Sequence, residues 1–170
     1  ERVGAALARD GARVDTASEL LPDLAGQHAR YRRMLTITLT RGAAWLDGGV
    51  ATASDWFDAL DEQARTTRAW RRLFERYHAV IAPPNVVTAF AHRDDPYDAR
   101  TLTIDGVATA YDAQLAWPGV ATYPGLPATC FPAGVDQDGL PTGAQVIAAP
   151  FADHTAIAVA RAAHGLVWSR

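Results

Sequence analysis

TYPGLPATCFPAGVDQDGLPTGAQVIAAPF, residues Thr122–Phe151, contains two short apolar runs, Pro127–Pro132 and Pro141–Ala148, joined by Gly134–Gly139. Glycine and proline bracket each run, which predicts two strands and a turn. Gly134 and Gly139 are free to take the positive φ a turn can require. Pro127, Pro132 and Pro141 stand near strand ends, where a missing N–H does least harm. Neither run alternates cleanly between apolar and polar residues, which predicts cover on both faces, as in the sheet of an α/β protein. Gln145 puts an amide inside the second run. If buried it needs partners, and tying down a neighbouring loop is its expected role.

Around this stretch the composition is that of an ordinary globular chain. The 170 residues suffice for one domain with a real core, and the hydrophobic share of 49% and charged share of 21% are near average. A net charge of −3 argues against general affinity for nucleic acid or anionic membranes. One cysteine, no apolar run of the ~20 residues that span a bilayer and no signal peptide point to a cytoplasmic protein. Glu1 opens in what reads as mid-helix, and the one methionine is Met34, so a piece of a longer protein is expected. All sixteen Lys/Arg positions are arginine.

From the N-terminus, Glu1–Asp10 reads as a helix ended by Gly11, and Ala12–Thr16 as a short strand. After a break at Ser18–Pro22, an amphipathic helix is expected from Asp23 to about Leu46. Its apolar stripe is Leu24, His28, Tyr31, Leu35, Leu39 and Leu46, weakened at Thr36–Thr38, with Gly48 and Gly49 closing the element. His28 on that stripe is expected to be a hydrogen-bonded core histidine. Thr52 or Ser54 caps a helix from Asp55 to Tyr77. Trp56, Leu60, Ala64, Thr67 and Phe74 share its inner face, and the mixed charges opposite read as a solvated face. Ala79–Ala82 is a short strand stopped by Pro83 and Pro84. Residues Asn85–Arg100 form a loop in which His92–Asp95 has one imidazole and no second ligand pair, so no metal site is assigned. Leu102–Ile104 and Val107–Thr109 form a hairpin about Asp105 and Gly106. Tyr111–Val120 reads as a short helical piece. Asp153 caps a last helix, with Ile157, Ala160 and Ala163 inward and Gly165 at its end.

Taken in order, Gly125–Ala128 (GLPA), Phe131–Gly134 (FPAG), Gly139–Gln145 (GLPTGAQ), Pro150 and the closing alanine-rich helix resemble the C-terminal end of amidase signature family enzymes. The helix leading into Ala79–Pro84 is similar to the family's helix before a strand that ends in proline. The likeness runs from about Glu1 to Gly165. It implies an α/β fold, the C-terminal portion of the amidase signature fold, with a mixed β-sheet flanked by helices. The 170 residues then form a single domain or fragment lacking the upstream catalytic segment.

The family's chemistry, so implied, is attack on an amide by a serine whose proton passes through a second serine to a lysine base. A hydroxyl is a poor nucleophile until a base takes its proton. This chain has no lysine, and its serines are Ser18, Ser54 and Ser169, isolated and in cap or terminal contexts. Cys130 lies in an apolar run, where an inert buried thiol is expected. No catalytic residue, metal or cofactor is therefore assigned. The resemblance implies a scaffold and pocket-wall role, with Trp117, Thr122 and Tyr123 as substrate-binding candidates. The implied partners are a small amide substrate, the upstream half of the same protein and a second copy, with no nucleic acid and no membrane. Two alternatives remain: the A-type component of a tRNA-dependent amidotransferase, and a non-catalytic fragment acting by association. Amidotransferase members resemble Asn-Leu-Ala-Gly where this chain has Thr122–Gly125, and carry an acidic residue near the place of Leu115. That departure favours a plain hydrolase.

Overall fold

The computed structural model describes residues 1–44 and 49–168. Helix α1 spans Arg2–Arg9 and gives way to Gly11 at φ +95°. Ala12–Thr16, expected as a strand, forms none. Arg13 and Asp15 pair with each other in solvent at 3.2 Å, Val14 is 40% exposed, and a strand without a ladder partner leaves its backbone to water.

Helix α2, Leu24–Thr40, starts where Asp23 accepts the Gly26 N–H at 3.0 Å. It stops short of the expected Leu46, which lies outside the described residues with Gly48. Thr36, Thr38 and Thr40 donate their hydroxyls to carbonyls four residues back, and Arg41 turns left-handed at φ 46°. Such back-bonding and β-branching weaken a helix end. Gln27 and Ile37 are its buried positions, whereas Leu39, placed in the apolar stripe by spacing, is 77% exposed.

Helix α3, Ala53–Phe74, is capped reciprocally: the Asp55 N–H donates to Thr52 Oγ1 and the Thr52 N–H donates to Asp55 Oδ2. Its buried positions are Ala59, Thr66, Trp70 and Leu73, so the inner face is rotated from the one expected, and Trp56 reaches solvent. Burying side chains the size of Leu73 contributes on the order of 1.5–3 kcal/mol each.

Strand β1 is Val80–Ala82. The hairpin β2 (Thr101–Ile104) and β3 (Val107–Ala110) forms a two-stranded sheet of its own. Asp105 and Gly106 both take positive φ, 51° and 80°, as a tight two-residue hairpin turn demands. Helix α4 is Ala116–Thr122, and the opening stretch yields β4 (Ala128–Val135) and β5 (Pro141–Ile147). Gly134 and Gly139 take φ of +139° and +78° at the bulge and turn between them.

The main sheet runs β1-β5-β4, each pair antiparallel, with Val80 opposite Ile147 and Phe131 opposite Ala144. One face carries Phe131, Ala133, Ala144 and Val146 against Val3 of α1 and against Ala160 and Ala163. Those alanines belong to α5, Asp153–Trp168. The other face meets Trp70, Leu73, Val120 and Ala121 at Ile147. The fold is therefore α/β, small sheets flanked by helices.

Cover on both faces holds for β5, where Ala144–Ile147 are all buried, and fails for β4. There Phe131 and Ala133 are buried while Ala128, Cys130 and Pro132 are exposed. As an outer strand of the three, β4 lies beyond the cover that α3 and α4 give to β5. In α5 the amides of Thr155 and Ala156 donate to the Ala152 carbonyl, so Asp153 is the first helical residue, not the cap. The buried positions of α5 are Ala156, Ala160 and Ala163, Ile157 is 44% exposed, and the helix continues past Gly165.

Candidate functional site

The corner where α4 turns into β4 holds the three residues assigned to substrate. Pro118 sits early in α4, where a missing N–H breaks no helical hydrogen bond. At the other end the Leu126 N–H donates to the Ala121 carbonyl at 2.9 Å, and Gly125 takes φ +69°, so the chain reverses within a few residues. A side chain would strain that conformation, although no atom lies close enough to obstruct it.

The corner is fastened from three directions. Gln27, 1% exposed, donates its amide to the carbonyls of Gly119 and Val120, both at 3.0 Å, and accepts from Trp70 Nε1 at 2.8 Å. Gln63 donates to the Tyr123 carbonyl at 2.7 Å, and Thr67 to the Pro124 carbonyl at 3.1 Å. Gln145 donates to the carbonyls of Pro83 and Trp117 at 2.8 and 3.0 Å. Its expected part as a tie between segments is what the structure contains. Through it β5 holds both the end of β1 and the start of α4.

The three substrate candidates do not share one surface. Trp117 is half-buried, packed on the cluster of Trp70 and Leu73. Thr122 is exposed at the end of α4, just ahead of the open face of β4. Tyr123 is 1% exposed, with its ring tilted against Tyr31 at 6.2 Å. Burial, and secondarily the Glu62 carboxylate, push the Tyr123 hydroxyl above the ordinary tyrosine range. It remains a protonated donor at neutral pH.

His28, expected to be hydrogen-bonded in the core, is half-buried, and its Nδ1 is buried with no partner among the described residues. Burial first, then the Arg32 guanidinium, pull its pKa below the usual histidine value, and Asp112 opposes them. Arg32 and Asp112 form an ion pair joining α2 to the turn before α4. The amide partner of the core is instead Gln27, its neighbour in sequence. An amide on an apolar helix stripe was the available sign of it.

Nothing in this corner assembles a nucleophile with its base. Ser18 Oγ accepts the Leu20 N–H at 3.2 Å, Ser54 is exposed in the first turn of α3, and Ser169 lies outside the described residues. Cys130, expected to be buried, is exposed, because its side of the edge strand β4 is uncovered. Among the described residues no three or more His, Cys, Asp or Glu side chains gather as a metal would require. In that same set no helix is long and apolar enough to cross a membrane.

The profile of the amidase family matches residues 5–157. The fatty acid amide hydrolase of Medicago truncatula is 32% identical over 115 residues, which is 68% of this chain and 18% of that protein. The glutamyl-tRNA(Gln) amidotransferase of Maricaulis maris, in its A-type component, is 29% identical over 135 residues, 79% of this chain and 24% of its own. Among solved structures, the corresponding component of the glutamyl-tRNA(Gln) amidotransferase from Thermotoga maritima superposes with a TM-score of 0.70 at 23% identity, covering 96% of this chain and 37% of the other. The chain thus spans about a quarter or less of the length of these curated relatives.

Proposed function

The chain belongs to the amidase family, and we propose that it forms the C-terminal scaffold and substrate-pocket wall of an enzyme that hydrolyses carboxylic amide C–N bonds. The observation that carries this reading is a family match across residues 5–157 in a sequence with no lysine. Amide hydrolysis by a serine needs a base within hydrogen-bond reach. With Ser18 engaged in a local turn and Ser54 at the exposed start of a helix, these 170 residues supply a frame without the reacting groups. The rest of the protein brings the nucleophile and base, and is the principal partner.

Within the frame, Trp117 and Thr122 are the residues we assign to the wall facing substrate. Tyr123 backs them from the core. The exposed side of β4 at Ala128, Cys130 and Pro132 is the face we assign to contact with the rest of the protein. The exposed part of the Trp117 indole suits an acyl or aryl group. Cytoplasmic location belongs to the same reading.

Ammonia release from simple amides, measured on the complete protein and on these 170 residues alone, tests the assignment. Activity is expected in the first and none in the second; turnover by the isolated chain overturns it. A second reading is favoured by relatives such as the Maricaulis maris amidotransferase. Glutamine-dependent conversion of misacylated tRNA, when the other components are added, would establish that reading over the first. Thr122 and Leu115, at places where such amidotransferases resemble Asn and an acid, weigh against it.

A further inference from the structure

The turn that carries β5 into α5 has a backbone suited to glycine and holds phenylalanine instead. The Ala152 N–H donates to the Ala149 carbonyl at 2.9 Å, closing a turn with Pro150 in its second place and Phe151 in its third. Phe151 takes φ 65°. In a turn with proline second and positive φ third, glycine or asparagine is the expected third residue. A bulky side chain there is a backbone outlier, because its Cβ crowds the carbonyl that follows. Arg41 and Asp105, the other non-glycine residues at positive φ among those described, carry charged side chains. The Phe151 ring gains no local contact in exchange. It is 93% exposed, more than any other large apolar side chain among the described residues. An apolar residue just ahead of a helix commonly packs back on its first turn, and exposure of that degree rules the contact out.

A side chain held in a costly conformation persists where its surroundings fix it there. Position in the sheet indicates what those surroundings are. Ile147, the last residue of β5, stands opposite Ala128, and the Ala148 N–H donates to the Pro127 carbonyl at 3.1 Å. Phe151 therefore follows the end of the main sheet where the exposed side of β4 begins and near which Thr122 is exposed. That side of β4 is the face assigned above to the rest of the protein. The stretches matched here are 18% and 24% of two curated relatives, so most of such a protein lies outside the part seen here. We propose that Phe151 is an interface anchor, its ring seated in an apolar pocket on the part of the same polypeptide outside these residues. The proposal rests on the reading of this chain as the frame of a larger enzyme. The turn holds the ring clear of α5, and docking removes it from water.

The test uses the complete protein with Phe151→Asn, a residue that tolerates the positive φ of the turn, and with Phe151→Leu. A seated ring makes Phe151→Asn raise the unfolding equilibrium constant in urea by about tenfold or more, with Phe151→Leu losing less, as truncation of a buried aromatic requires. A ring left in water gives the opposite sign: Phe151→Asn relaxes the backbone and leaves stability unchanged or higher, which overturns the proposal. A second measurement does not depend on stability. In a Cys130→Ser background, Phe151→Cys puts a thiol in the turn, and its reaction with a maleimide is timed in the complete protein and again in urea. Burial slows the folded reaction by about tenfold or more, since the thiol reacts only when the contact opens; equal rates overturn the proposal. Protection that fades on dilution, with the mass of a dimer by light scattering before it fades, assigns the ring to a second copy and overturns the occupant named here. Ammonia release enters neither readout, so a complete protein inactive toward amides would count against the hydrolase reading and leave the anchor standing.

Discussion

Gln27 makes three hydrogen bonds from one buried amide, and they join α2, α3 and α4. Replacing it by methionine keeps the volume but strands Trp70 Nε1 and takes a donor from the Val120 carbonyl, while the Gly119 carbonyl keeps the Tyr123 N–H. The expected loss is about 3 kcal/mol or more, read from urea unfolding. Asp55 gives a pH-dependent counterpart. Its bonds from the Thr52 hydroxyl and backbone, and then Arg33, hold its carboxyl below the ordinary aspartate value of 3.8. A carboxylate depressed in the folded state stabilises above its unfolded pKa, and that stabilisation disappears as pH falls through the folded value. Asp55→Asn should therefore be less stable than the unsubstituted protein at pH 7, with the gap closing below pH 3.8 in thermal melts. A gap of constant size would count against the cap.

The contact of α4 with α2 turns on Gly119, where an added methyl would lie 2.5 Å from Tyr31 Cδ1. Gly119→Ala gains helix propensity of up to about 1 kcal/mol but forces the ring aside at a cost of about 1–3 kcal/mol. Net destabilisation is expected, and Tyr31→Ala in the same chain should abolish it, which a double-mutant cycle measures. The elements that sequence specified most firmly were those with local chemistry of their own. The Asp105–Gly106 hairpin, a capped start near Thr52 or Ser54 for α3 and the glycine-bracketed strands β4 and β5 required no knowledge of distant neighbours. Ala12–Thr16 had strand composition but no partner, and pairing is not a local property. The rotation of α3 about its axis and the exposure of Cys130 depended on which helices reach which part of the sheet. Gln145 could be read as a tie, whereas the meeting of Gln27, Trp70 and the carbonyls of α4 needed three elements in place at once.

For the whole molecule, the outer edges of β1 and β4 have no strand pairing among the described residues, and one side of β4 is uncovered. Unpaired edges invite added strands. The 170 residues produced alone should self-associate, or require the remainder of the protein to stay dispersed, and light scattering of dilute samples checks this. A clean monomer would mean that the bulge at Pro132–Gly134 and Pro132 itself guard the edge sufficiently. The strand order has a further consequence for how the protein is made on the ribosome. The middle strand β5 is translated last of the three, so β1 emerges and waits through the synthesis of the hairpin, α4 and β4 before either neighbour can pair. A nascent chain that stalls before Pro141 has helices but no main sheet, and β1 then lacks the partner it has in the finished fold until β5 arrives.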